Sequence, residues 1–423
     1  MSSASNPEGL AIARELIARE AEERTGFLDL GGLGLREMPE GLRELKHLRR
    51  LILGWSWWDI KPKQWHRVAN NLEFNHLRNG WDGLAELTHL NELNCSHTSL
   101  KDLELLTKLT ALTTLNCAHN EIRSLQPLTK LTALTTLDCS CNDIRSLRPL
   151  TKLPALTTLD CTNFSVTDIG PLAETPALTT LHFSCLHLSD YGQLAELTGL
   201  TELDCSIPQL RDLQPLAKLT ALETLTLRHT EVSDLEPLAQ LPVLNTLDIS
   251  GSKVCNLEPL AEIATLTSLS FLNTKVNDMK PLARLSRLSD LQCSSTLVTD
   301  LQPLANLTTL TWLDCCHTKV SDLQPLAGLA ALAWLNCSNT LVSDLQPLTN
   351  LTALTTLDCR NTAVRSLPEA LVWLPHLTSL TAFGLSIDRV PAEVLSAGIN
   401  CLEPLRSYFR SKSSGRDERA PMV

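Results

Sequence analysis

The chain has 423 residues, a formal net charge of -11, 43% hydrophobic and 20% charged residues, and only 4% aromatics. Such a composition belongs to a folded chain whose core is built from leucine. The acidic balance excludes a nucleic-acid backbone as the main partner, because there is no cationic excess to displace counterions, and no apolar run approaches the roughly 18 residues of a membrane-spanning helix. At the N-terminus, Asn6-Pro7-Glu8 reads as a helix start, with an N-cap, proline in the first turn and an acid after it. Leu10, Ala13, Leu16, Ile17 and Ala21 form one apolar stripe, so Pro7–Arg24 is predicted as a helix covering the start of the fold. This charged segment does not read as a signal peptide. Together with fourteen cysteines, that predicts a reducing compartment, the cytoplasm, with free thiols.

After FLDLGG, the stretch LREMPEGLRELKHL (Leu35–Leu48) opens a leucine-periodic pattern, and Leu51-Ile52-Leu53 reads as a strand. The pattern then breaks into GWSWWDIKPKQWHRVANNLEFNHLRNGWDG, which holds five of the eight tryptophans. Two readings stand for this insertion, at about residues 54–81. It is a partner-binding loop using Trp55, Trp57, Trp58 and Trp65, since tryptophans are frequent hot spots, or it is a self-packed loop covering the early repeats.

From Leu87 to Asn350 the chain divides into twelve segments of 22 residues without insertion or deletion. Apolar residues recur at positions 1, 4, 7, 9, 14, 17 and 20, and Pro-Leu fills positions 19 and 20 in ten of the twelve. Positions 7 and 9 lie two apart, so a strand points both to one side. Proline at position 19 suits the start of a short helical turn. One strand and one turn cannot bury their own apolar side, but stacked units can. The pattern LxxLxxLxCxxNxIxxLxPL, as in Leu109–Leu128, resembles the leucine-rich repeat in its 22-residue bacterial form. Asparagine at position 12 remains at Asn120 and Asn142 and is threonine at Thr98, Thr230, Thr274, Thr318, Thr340 and Thr362. Both residue types bond backbone groups at turns.

Nine cysteines occupy position 9 (Cys95, Cys117, Cys139, Cys161, Cys205, Cys293, Cys315, Cys337 and Cys359), where other segments carry Phe183, Leu227, Ile249 and Phe271. A slot shared by these types is a buried apolar slot, in which free cysteine acts as a small hydrophobe. His97, His119 and Cys141 line up at position 11 of successive segments. They could be zinc ligands, but strand spacing of about 4.8 Å is wide for one ion, so exposed turn residues and no metal are expected. No phosphate loop, His-Glu-x-x-His or Gly-x-Ser-x-Gly occurs, and no catalytic residue and no cofactor are predicted.

The pattern resumes loosely in VRSLPEALVWLPHL (Val364–Leu377), Leu374–Val394 makes a last degenerate repeat, and Leu402–Phe409 is a predicted C-terminal cap helix. The segment VPAEVLSAGINCLEPLRSYFRSKSSGRDERAPMV (Val390–Val423) resembles the linker that joins leucine-rich repeats to the GTPase domain in bacterial Roco proteins. The N-terminal helix, FLDLGGLGLREMP and the tryptophan-rich insertion after LILG resemble that family's repeat domain. The chain stops where the GTPase's first strand would begin, so a repeat-only fragment or relative is expected. The resemblance implies an α/β fold: a right-handed leucine-rich-repeat solenoid with a concave parallel sheet, short helical turns on the convex side and helical caps. The expected divisions are 1–25 (cap), 26–394 (solenoid) and 395–423 (cap helix and linker). Some fifteen strands at about 4.8 Å would make an arc of about 70 Å. The expected function is a non-catalytic protein-interaction module, the sensor or scaffold arm of a Roco-type GTPase; the alternative is a free-standing cytoplasmic scaffold. The expected partners are a protein or peptide with basic character and an adjoining GTPase domain, with no nucleic acid and no membrane.

With positions 7 and 9 inward, positions 6, 8 and 10 face the concave side. Position 8 is an Asp/Asn column, including Asp138, Asp160, Asp204, Asp248, Asp314, Asn336 and Asp358, while position 6 carries Trp312 and Trp334 in adjacent segments and Asp290 before them. The predicted site is therefore Trp312, Trp334, Asp290, Asp314, Asn336 and Asp358. The competing reading is that the two indoles only stack on each other.

Overall fold

A computed structural model of the chain describes residues 6–59, 64–67, 72–77, 81–162, 166–184, 188, 190–388, 390–395 and 400–414. Two compact units divide it, Met1–Cys205 and Ser206–Val423.

In the first unit, the helix Pro7–Glu23 starts on Asn6, whose side-chain oxygen accepts the Glu8 and Gly9 N–H groups. It lies so close to the first repeat that a Cβ on Gly9 would stand 1.8 Å from the Leu33 carbonyl oxygen. The helix end is tied down by buried Glu20, which accepts N–H groups of Thr25 and Gly26 and pairs with His47 Nε2 at 2.8 Å. Three-residue strands follow: Phe27–Asp29, Arg50–Ile52, Glu92–Asn94, Thr114–Asn116, Thr136–Asp138, Thr158–Asp160, Thr180–His182 and Glu202–Asp204. Each pairs in parallel with the next, leucine on leucine.

The second unit repeats the scheme with Thr224–Thr226, Thr246–Asp248, Ser268–Ser270, Asp290–Gln292, Trp312–Asp314, Trp334–Asn336, Thr356–Asp358 and Ser379–Thr381. Here too each strand pairs in parallel with its successor. It closes on the helix Leu402–Ser414, longer than the predicted Leu402–Phe409. Leu402 and Leu405 are buried, Arg406 donates to the Val372 and Leu377 carbonyls, and Arg406 and Arg410 lie over the Trp373 ring.

Within one segment, Leu307, Leu310, Leu313, Cys315, Val320, Leu323 and Leu326 are all at most 1% exposed. These are the seven positions of the apolar pattern, so the periodicity maps onto a continuous core. Glu369–Val372, in the longer repeat that follows the 22-residue segments, is α, whereas the helical turns of those segments are 3-10. Gln324–Leu326 is one of them, with proline in its first turn and the Asp322 carboxylate accepting the Gln324 N–H at 2.8 Å. Pairing through three residues leaves little room for a longer turn within 22 residues.

Two turn positions explain much of the remaining pattern. Position 11 is left-handed: φ is 55° at His97, 53° at His119, 53° at Cys141, 53° at His317 and 54° at Asn339. Position 12 closes the turn. Asn142 Nδ2 donates to the carbonyls of Cys117, Cys139 and Ser140, while its Oδ1 accepts the Ile122 N–H, so it joins two neighbouring repeats. Threonine does less: the Thr318 and Thr340 hydroxyls donate to Cys315 and Cys337, each within its own repeat.

The insertion leaves the ladder after Leu53 and returns at Asn75. Asn75 Nδ2 donates to the carbonyls of Leu30 and Leu53 and its Oδ1 accepts the Leu35 N–H, all at 2.8 Å. That is the work of Asn142, so Asn75 is the position-12 residue of this repeat. Between them Ser56–Asp59 and Gln64–Arg67 pair as an antiparallel hairpin, which the sequence pattern did not announce. Trp81 is core, 6% exposed, its indole N–H bonded to the Leu77 carbonyl at 2.9 Å.

Candidate protein-interaction face

The strands alternate strictly, so leucine at position 7 and cysteine at position 9 fill the core while positions 6 and 8 stand on the outer sheet face. Position 8 also has a local task. Asp138, Asp160, Asp248, Asp314 and Asp358 each accept the backbone N–H two residues on, as Asn336 does from Ser338. The Asx column thus caps strand ends with one oxygen, and in Asp248 and Asp358 the second oxygen takes an arginine.

Trp312 and Trp334 are register partners, and their rings stack at 3.8 Å with 5° between planes. Trp312 remains 38% exposed, so the stack is not a buried one. Asp290 is the register partner of Trp312 on its other side and receives only the Gln292 amide, at 3.3 Å. Burial, partly offset by that amide, raises its pKa. Asp314 accepts the Cys316 N–H and hydrogen-bonds the Cys316 thiol; burial first, then Asp314, pushes that thiol up to about 11. Asp358 differs, because Arg360 reaches it at 3.0 Å. Its pKa is raised, burial outweighing the Arg360 contacts. Asp248 is likewise engaged, by Arg228 at 2.6 Å. Among the described residues, Asp290 and Asp314 have no cationic partner.

A second titratable group stands on the same face of the first unit, and sequence reasoning missed its centre. His182 takes position 8 between Asp160 and Asp204 in register, with Nε2 at 3.3 Å from Glu202 and Nδ1 at 3.8 Å from Asp160. Burial works against its charge, but Asp160 and Glu202 outweigh burial and raise its pKa to about 9. Asp138 beside Asp160 rises to about 7, through burial first and then the neighbouring carboxylate. The available signal was a lone histidine in an Asp/Asn column.

Of the insertion's tryptophans, Trp55 is half-buried and stacks on Phe74 at 4.4 Å; Phe74 meets His97, and His97 stacks on His119 at 4.1 Å. The side chains of Trp57, Trp58 and Trp65 lie outside the described residues. No group of three or more His, Cys, Asp or Glu converges on a metal position among the described residues. His97 and His119 are packed ring on ring instead.

The model of "Leucine Rich repeats (2 copies)" matches residues 71–130 and 132–174. An internalin of Listeria monocytogenes is similar in structure over 70% of this chain and 87% of its own, with 28% identity and a TM-score of 0.60. A leucine-rich-repeat protein of Leptospira interrogans is similar over 88% of this chain and 94% of its own, with 20% identity and a TM-score of 0.69. The fold is a leucine-rich-repeat solenoid. A plant peptide hormone receptor, RGFR1, solved in complex with RGF2, shares this solenoid fold over 82% of this chain and 61% of its own, at 16% identity and a TM-score of 0.53. No curated protein matches by sequence. A leucine-rich-repeat solenoid is generally a non-catalytic protein-interaction module. Its outer sheet face presents side chains from successive repeats at strand spacing, suited to an extended partner.

Proposed function

We propose that this chain binds a protein or peptide of basic character on the outer sheet face of the Ser206–Val423 unit, centred on Trp312, Trp334, Asp290 and Asp314. Asn336 borders this patch, and Asp358 is held by Arg360 at its edge. The observation that carries the reading is a stacked indole pair, Trp312 exposed and Trp334 half-buried, beside two carboxylates without an internal cation. A tryptophan on a solvent-facing strand contributes only its stacking to the fold, about 1 kcal/mol, whereas aromatic anchors dominate interfaces. The receptor solved with RGF2 supports a peptide-sized partner for such a solenoid. The test is a pull-down against the native partner with Trp312→Ala combined with Trp334→Ala. Binding should be lost with the melting temperature little changed. Unchanged binding in the folded double variant would rule the face out, and a large stability loss would favour stacking as the purpose of the pair.

On the larger scale the reading is a sensor or scaffold arm of a Roco-type GTPase, supported by the helix on the first repeat, the tryptophan-rich insertion at LILG and the linker-like helix Leu402–Ser414. A Gly-x-x-x-x-Gly-Lys-Ser/Thr encoded beyond Val423 would support it, and its absence there would favour a free-standing scaffold. A cytoplasmic location accords with the thirteen free cysteines among the described residues.

A further inference from the structure

We propose that the outer face of the Trp312 ring, together with the Asp290 and Asp314 carboxylates, is a subsite for the guanidinium of an arginine side chain in the bound segment. This rests on the reading of the sheet face given above. The indoles are parallel and nearly at van der Waals separation, 3.8 Å at 5°, and they sit on adjacent strands in register. The axis of the stack therefore runs along the ladder, and each ring has one face against its partner and one face turned away. The free face of Trp312 looks toward the strand Asp290–Gln292, where its register partner is Asp290. Asp314 lies two residues along the Trp312 strand, on the same side. A planar cation laid on that face thus meets a carboxylate across the ladder and another along the strand. The free face of Trp334 looks toward Thr356, which offers no charge.

The neighbouring repeats supply an internal comparison. In this unit the position-8 acids that hold a cation hold an arginine: Arg228 on Asp248 and Arg360 on Asp358. Asp290 and Asp314 receive only neutral donors, from Gln292 and Cys316. Arginine fits better than lysine, because its flat, weakly hydrated guanidinium both stacks on an indole and spreads several donors in its plane toward carboxylates. A lysine ammonium would gain the charge but not the stacking.

The experiment uses the full chain and two synthetic probes, a nonapeptide alternating arginine with glycine and its lysine counterpart, titrated calorimetrically at low salt. The arginine peptide should bind about tenfold more tightly than the lysine peptide. Trp312→Ala and Asp290→Asn should each abolish that preference, whereas Glu262→Gln, on the turn side of the same unit, should preserve it. Thermal unfolding of every variant separates folding from recognition. Equal binding of both peptides, weakened by the tryptophan variants, would overturn the arginine subsite and leave the face standing. Failure of both peptides to bind, or binding indifferent to Trp312 and Trp334, would overturn the face as well.

Discussion

His97 and His119 share a left-handed backbone at repeat position 11, and that conformation accounts for their column. The position also takes Asn273, Asn339 and Asn361, and glycine at Gly251, types that tolerate this region best. Holding the turn throws the side chains sideways, so His97 packs between Phe74 and His119. Burial, then the neighbouring imidazole, lowers the His97 pKa to about 4, and burial lowers that of His119. A histidine held below its unfolded value of about 6.5 binds protons more readily when unfolded. Its contribution to stability is therefore complete above pH 6.5 and falls as pH drops toward 4. The urea midpoint should decline between pH 6.5 and 4.5, and His97→Phe should flatten that decline; an identical decline in the variant would refute the assignment. Position 11 was legible as a turn, but a ring stack is a tertiary contact that no spacing rule contains.

At the scale of the element, the single repeat was legible because its apolar positions recur at a fixed spacing of 22 residues. What could not be read was how residues join one repeat to the next. Asn142 and Thr318 occupy the same slot, yet Asn142 bridges two repeats while Thr318 bonds within one. Asn142→Ala should cost about 2–3 kcal/mol, because it strands several buried backbone groups, and Thr318→Val about 1 kcal/mol; chemical denaturation of both variants checks the order. The charged row behaves similarly. His182, raised to about 9, and Asp138, raised to about 7, both favour the protonated folded state. The Asp138 contribution is present below about pH 4 and lost as pH rises toward 7, and that of His182 is present below about pH 6.5 and lost as pH rises toward 9. The Met1–Cys205 unit should weaken between about pH 6.5 and 9 by an amount on the order of 2 kcal/mol, and His182→Gln should remove most of that dependence. A histidine variant with the same alkaline decline would exclude the row as its cause. The Asp column itself was visible in the sequence, whereas its division into arginine-paired and unpaired acids required side chains in place.

Across the whole molecule the thiols report on packing. Burial pushes Cys95 up to about 12 and Cys117, Cys139, Cys205 and Cys293 well above their ordinary value, with neighbouring thiols or carboxylates adding to the rise where they face one another. Thiolate is the reactive form, so among the described residues the native protein should take up a thiol reagent first at exposed Cys255. Cys141 and Cys316, half-buried, should follow slowly, and the position-9 cysteines only on unfolding. Rapid native labelling of the position-9 set, located by peptide mapping, would contradict the packing. Reading position 9 as core needed only its exchange with phenylalanine, leucine and isoleucine along the chain.

The excursion after Leu53 has a consequence for how such chains are remodelled. The bonds that fasten this repeat to its predecessor at the turn gather where the excursion returns: Leu72 and Glu73 pair through their backbone with Gly32 and Gly34, and Asn75 closes the turn. The chain ahead of that return adds little beyond loop closure, about 0.6 kcal/mol for each doubling of its length. The stretch between positions 9 and 12 of this repeat is a grafting port: a foreign hairpin or epitope can replace it, provided the returning Leu72-Glu73 backbone and Asn75 are kept.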